Sequence, residues 1–126
     1  MRIAALIARL LLGLIFVVFG LNGFLHFIPM GPPPTGLAGQ FIGALAQSQY
    51  FSVVAVLQIA GGVLLLVNRY VPLGLVLLGP VIFNILLYHL LLNPVGIGMA
   101  VLVTALWFIV FYAHRAAFSG IFAQRG

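Results

Sequence analysis

The sequence predicts an all-α, polytopic membrane protein: an up-down bundle of four transmembrane helices, with a short interfacial helix between the first and the second. Three observations carry that prediction. Of the 126 residues, 65% are hydrophobic and 4% charged, whereas a soluble domain carries roughly a quarter charged residues. A water-facing surface cannot be built from this composition, so the solvent is lipid. The apolar residues fall into runs of membrane-crossing length, separated by short polar or proline-containing breaks. All charge comes from Arg2, Arg9, Arg69, Arg115 and Arg125, and these sit at alternate breaks.

The first run, 3–28, approaches 26 residues, on the order of 39 Å as helix against a hydrocarbon core of about 30 Å. A cleaved signal peptide has a shorter apolar core and a small-residue cleavage site, so this run reads as a membrane span. Arg9 lies about a turn and a half inside it, shallow enough to snorkel to headgroups. The segment 29–49 breaks the pattern, since Pro32-Pro33-Pro34 cannot be helix interior. After Thr35-Gly36, residues Leu37, Phe41, Ala44 and Leu45 recur at helical spacing against Gln40, Gln47 and Ser48. That pattern describes a short amphipathic helix at the interface; a loop packed over the helix ends is the alternative.

The second span covers 50–67 and the third 71–92, with Pro72 in the first turn, where a missing N–H costs little. Pro80 falls in the middle of the third span, where it is expected to kink the helix and free the carbonyl of Val76. Asn93-Pro94 ends that span, and the fourth runs over 95–118, closed by His114 and Arg115. Residues 1–126 form one membrane domain, with no internal repeat.

Four spans place the N-terminus, the 68–70 turn and the C-terminus on one side, and every arginine lies there. Cationic segments stay cytoplasmic, so both termini are expected inside a bacterial inner membrane, with 29–49 and Asn93-Pro94 outside. Short connections force antiparallel neighbours. Gly13, Gly20, Gly23, Ala60, Gly61, Gly62, Gly74 and Gly79 allow the close backbone approach by which such helices pack.

What the chain lacks excludes much. There is no cysteine and no Asp or Glu, hence no thiol redox chemistry, no thiolate metal site, no carboxylate acid or base and no hard-cation cage. Scattered arginines form no nucleic-acid patch. Autonomous catalysis is therefore disfavoured. Arg9 and Arg69 have no acidic partner in the chain; headgroup phosphates or helix-end carbonyls are expected to meet them, with an acidic residue of another subunit as the sharper idea; assembly into a homo-oligomer is a separate expectation. Trp107 reads as a packing or lipid-facing aromatic.

Sorted by depth, Asn22, His26, Gln58, Asn84, Tyr88 and His89 fall in the central or outer part of the bundle, with Asn22/His26 and Asn84/Tyr88 each at i,i+4 spacing. As a cluster they would suit the head of a quinone or other amphiphile, with His and Tyr donating to carbonyl oxygens. They would also suit two-histidine haem or metal ligation, or a substrate path for a small transporter of an apolar or amphiphilic solute. Interhelical hydrogen bonding weighs more than any one of these.

The chain resembles the DoxX family of small four-helix bacterial membrane proteins. The likeness lies in Ala8-Arg9-Leu10-Leu11-Leu12-Gly13 with Gly20, in Gln58-x-x-Gly61-Gly62-x-Leu64-Leu65, and in Asn68-Arg69-Tyr70-Val71-Pro72-Leu73. It extends to Gly79-Pro80-Val81-Ile82-x-Asn84-Ile85 with His89. Many relatives carry Glu where this chain has Gln58, which removes a protonation or ion-pairing role there. The resemblance implies the four-helix fold and a redox-linked membrane context, since relatives are similar to the small membrane subunit of a thiosulfate–quinone oxidoreductase. It implies an accessory, quinone- or lipid-binding subunit, or a membrane subunit of such an oxidoreductase, and no defined reaction.

Overall fold

The computed structural model describes residues 2–25, 34–94 and 96–121, and among these there is no β-strand. Five helices follow in order: α1 (Arg2–Leu25), α2 (Gly36–Gln47), α3 (Tyr50–Leu66), α4 (Val71–Leu91) and α5 (Ile97–Ala113), then a 3-10 turn over Arg115–Phe118. The segment 36–47 is thus helix, as its periodicity predicts, and it meets α3 at 80°. The predicted C-terminal end of the first span, 26–28, and Pro32-Pro33 lie outside the described residues. α1 and α4 are long and apolar enough to cross a membrane; α2 and α3 pass that test only as one bent pair, and α5 is a shorter apolar helix of 17 residues.

The helix ends have local causes. α3 closes in a Schellman motif: Asn68, at φ 57°, donates its backbone N–H to Leu65 O at 3.3 Å, and Arg69 N–H reaches Leu64 O at 3.1 Å. A left-handed residue is what this closure requires, and asparagine tolerates it better than most. α5 is shorter at both ends than the predicted 95–118 span. It starts after Gly96, whose φ of 91° favours glycine. It stops where His114 Nδ1–H donates to Val110 O at 3.0 Å and Arg115 Nη1 donates to Tyr112 O at 2.7 Å. Val110 O also accepts the backbone N–H of His114 at 3.1 Å, and Arg115 takes at Tyr112 O a carbonyl that a further helical turn would use.

Packing is antiparallel around a ring, α1 against α3, α3 against α4, α4 against α5 and α5 back against α1. The core at its centre is built from Leu12, Phe16, Leu65, Leu75, Leu78 and Val110 with their neighbours. α3, α4 and α5 are apolar around their whole circumference rather than on one stripe. Leu91 is 76% exposed and Phe83 61% exposed, so the outer surface is as oily as the interior. A helix apolar all round suits either a membrane span or the core of a larger protein.

Two seams set the helix spacing. On the first, a Cβ added at Gly13 would lie 2.8 Å from Gly62 O, and one added at Gly62 would lie 2.8 Å from Gly13 O. On the second, a Cβ at Gly61 would lie 2.7 Å from Leu78 Cγ and 3.2 Å from Gly74 O. Adjacent glycines of α3 therefore bring α1 and α4 to backbone distance on different faces. Of the other small residues expected at interfaces, Ala60 is exposed and Gly79 has only ordinary clearance from Trp107, at 3.6 Å.

Arg9 completes the first seam. Its Nη1 donates to Leu65 O, a carbonyl in the last turn of α3. The helix-end reading holds, and the cation also meets the negative pole of the α3 dipole.

Three outcomes are expected in thermal unfolding of detergent-solubilised protein. Gly13→Ala and Gly62→Ala each lose about 1–3 kcal/mol, because the obstructing atom is backbone and cannot rotate away. Gly43→Ala is neutral or gains up to about 1 kcal/mol, since nothing lies within 4 Å of its Cβ position. Arg9→Met loses about 1.5–3 kcal/mol, the range for a charge-assisted bond, and Arg9→Lys loses less.

Candidate functional site

Three of the six residues singled out in the sequence come together at the C-terminal end of α4. Asn84 and Tyr88, one turn apart, line a cavity of about 250 Å³ with Phe41, Leu87, Leu91 and Leu92. The cavity exists because α2 lies across this end of the bundle: the Phe41 ring stacks on Tyr88 at 5.8 Å between centroids and 27° between planes. His89 follows Tyr88 and meets it edge-on at 5.1 Å.

The hydrogen bonds decide what each group can offer. Asn84 Nδ2 donates to Pro80 O at 2.8 Å, which leaves its Oδ1 as an acceptor. Asn93 Nδ2 donates to Tyr88 Oη at 3.4 Å, so the phenol keeps its own proton to give. The cavity thus presents one acceptor and one donor beside an aromatic face. His89 is turned elsewhere: its Nδ1–H donates to Asn93 O at 3.0 Å, because a carbonyl only accepts. The ring also rests on Gly96, where an added Cβ would stand 3.0 Å from His89 Cε1. His89 is thereby a strut of the α4–α5 turn, and it is not among the residues lining the cavity.

The other three candidates sit apart from this cavity or beyond description. Gln58 is half-buried on the α1–α3 seam, with its Cβ 3.2 Å from where a Gly20 Cβ would be. Asn22 is buried in α1 at 6% exposure. Among the described residues no buried side-chain nitrogen or oxygen lacks a hydrogen-bond partner. His26 lies outside the described residues. Among those described, no group of three His, Cys, Asp or Glu side chains could hold a metal ion.

Sequence reasoning missed two contributors. Phe41 carries an ordinary amphipathic signal, and nothing in the chain announces its contact with Tyr88, 47 residues away. Trp107 is more than a packing aromatic: its Nε1–H donates to Leu75 O at 3.0 Å, tying α5 to α4 five residues before Pro80. Its ring lines a second, wholly different cavity of about 380 Å³ with Gly79, Ile82, Phe83, Leu86, Thr104 and Phe108. That groove is apolar in effect, since Thr104 Oγ1 is also engaged, donating to Ala100 O at 2.7 Å. α4 runs through Pro80 as one helix, Val71–Leu91.

Searches against family models, curated proteins and solved structures returned no match to this chain.

Proposed function

We propose that the chain is a four-span bacterial inner-membrane protein of DoxX type, with both termini cytoplasmic. In this reading it is an accessory subunit that holds the head of a quinone, or of a lipid of similar polarity, in the α2–α4 cavity. The observation that carries the ligand reading is the cavity itself: a stacking platform from Phe41 and Tyr88, with the free Asn84 Oδ1 and the Tyr88 hydroxyl proton beside it. A quinone or quinol needs an aromatic face, a donor for a carbonyl and an acceptor for a hydroxyl, and a mostly apolar pocket with few polar groups is the usual form of such a site. No residue at the cavity offers a thiol or carboxylate, so binding rather than chemistry is the role these side chains support.

Four spans are supported by packing. α3 and α5 have 17 residues each, about 25 Å as helix and the lower end of spanning length. They lie antiparallel beside the two longer helices, which share the bundle core with them. α2 at 80° to α3 then lies roughly along the membrane plane, with Phe41 directed at the bundle.

The absence of native cysteine gives a direct test of topology. In oriented inner-membrane vesicles and intact cells, Ser119→Cys is expected to react with an impermeant maleimide only from the cytoplasmic side, and Ser48→Cys only from the opposite side. Labelling of both from one side would overturn the four-span arrangement.

Ligand binding is tested by titrating the purified protein with a short-chain benzoquinone in nanodiscs. Saturable binding is expected, weakened tenfold or more by Tyr88→Ala and by Phe41→Ala, with Tyr88→Phe separating the hydroxyl from the ring. A tenfold loss corresponds to about 1.4 kcal/mol. Absence of saturable binding, or wild-type affinity in both alanine variants, would overturn the quinone reading.

A further inference from the structure

The antiparallel ring collects arginines from distant parts of the sequence at one end. Arg2 opens α1, Arg69 sits in the α3–α4 turn and Arg115 follows α5; all three side chains are exposed. Arg9 belongs to the same end but is engaged with Leu65 O inside the bundle. We propose that Arg2, Arg69 and Arg115 form a docking surface for the anionic headgroups of phospholipids in the leaflet that this end meets. The proposal rests on the four-span reading above and is independent of the α2–α4 cavity.

Charge complementarity fixes the sign of the partner, and the level of the arginines favours phosphate headgroups. The chain contains no Asp or Glu and a formal charge of +5, so nothing within it neutralises these guanidinium groups. A second copy brings the same deficit and cannot serve as the charge partner. The negative charge therefore comes from outside the chain, at the level where the apolar helices end, which is the level of phosphate headgroups.

The surroundings are those of an interface. Tyr70, 73% exposed, adjoins Arg69, and Tyr112, 52% exposed, lies beneath Arg115; tyrosine at this level suits the headgroup region. Arg115 is held in advance, its guanidinium carbon 4.1 Å from the Tyr112 ring centroid and its Nη1 on Tyr112 O. That uses one N–H and leaves the rest of the fork for phosphate oxygens. Arg69 projects from a turn whose backbone is fixed by the Schellman bonds described above, so its position is set before any lipid arrives.

The test uses the whole chain in nanodiscs of equimolar phosphatidylglycerol and phosphatidylcholine, with lipids retained on mild extraction counted by native mass spectrometry. Wild type is expected to retain phosphatidylglycerol several-fold over phosphatidylcholine, and 0.5 M salt is expected to reduce the preference. The combined variant Arg2→Gln, Arg69→Gln and Arg115→Gln is expected to lose it, retaining the two lipids within twofold of each other. Tyr88→Ala is expected to keep the wild-type preference, which separates this surface from the cavity. Soluble glycerol phosphate at millimolar concentration is expected not to displace the lipid; displacement would assign the site to a free phosphate and overturn lipid docking. Equal retention of the two lipids by wild type, or an unchanged preference in the triple variant, would also overturn it. The Ser48→Cys and Ser119→Cys labelling above reads the topology separately, so a failed span and a failed surface give different results.

Discussion

The close approach of backbones at Gly61-Gly62 is the constraint on which the structure depends. In hydrocarbon, apolar side chains gain little by leaving lipid for one another, so helices associate through tight packing and hydrogen bonds. One face of α3 meets Gly13 of α1 at Gly62, and another meets Gly74 and Leu78 of α4 at Gly61. With α1 and α4 both drawn against α3, α5 closes the ring and Trp107 bonds to Leu75 O. The Arg9 contact depends on the same seam, since only a closely set α1 can present its guanidinium to the last turn of α3.

From that seam the two ends of the bundle acquire different characters. One end gathers Arg2, Arg9, Arg69 and Arg115, the exposed tyrosines Tyr70 and Tyr112, and the capped ends of α3 and α5. The other carries α2 laid across it, with Phe41 against Tyr88 and a small cavity beneath. The polarity of the molecule comes from connectivity, because short antiparallel turns send alternate breaks to opposite ends. Function follows the same division in the readings offered above: phosphate recognition at the charged end, and amphiphile binding at the end with an acceptor, a donor and a ring.

The six polar residues show how far depth reasoning reaches. Asn84, Tyr88 and His89 lie within two turns of one another near the C-terminal end of α4, a nearness that follows from their spacing in the chain. Counting could not fix rotation. Asn84 and Tyr88 face the cavity, His89 faces the α4–α5 turn, and Gln58 faces α1. A rotation of 100° per residue separates neighbours such as Tyr88 and His89, and a helix apolar on all sides carries no stripe to say which side turns inward. For the same reason the hydrogen bond of Trp107 was invisible: an indole in an oily helix gives one signal whether it meets lipid or a carbonyl.

By itself the sequence determined that the protein is helical and apolar, where its breaks fall, and that its charge lies at alternate breaks. Those properties are fixed by composition and by local chain stiffness, so they can be read one segment at a time. It also determined that no Asp or Glu of its own chain could pair with Arg9, because there is none. The tertiary structure decided which glycines touch backbone, that Leu65 O is the partner of Arg9, that α5 ends at Ala113, and that α2 brings Phe41 onto Tyr88. Each of these depends on helix rotation and on contacts between residues far apart in the chain. A side chain meets such a partner only when both helices are in place, and no local property of either segment records the meeting.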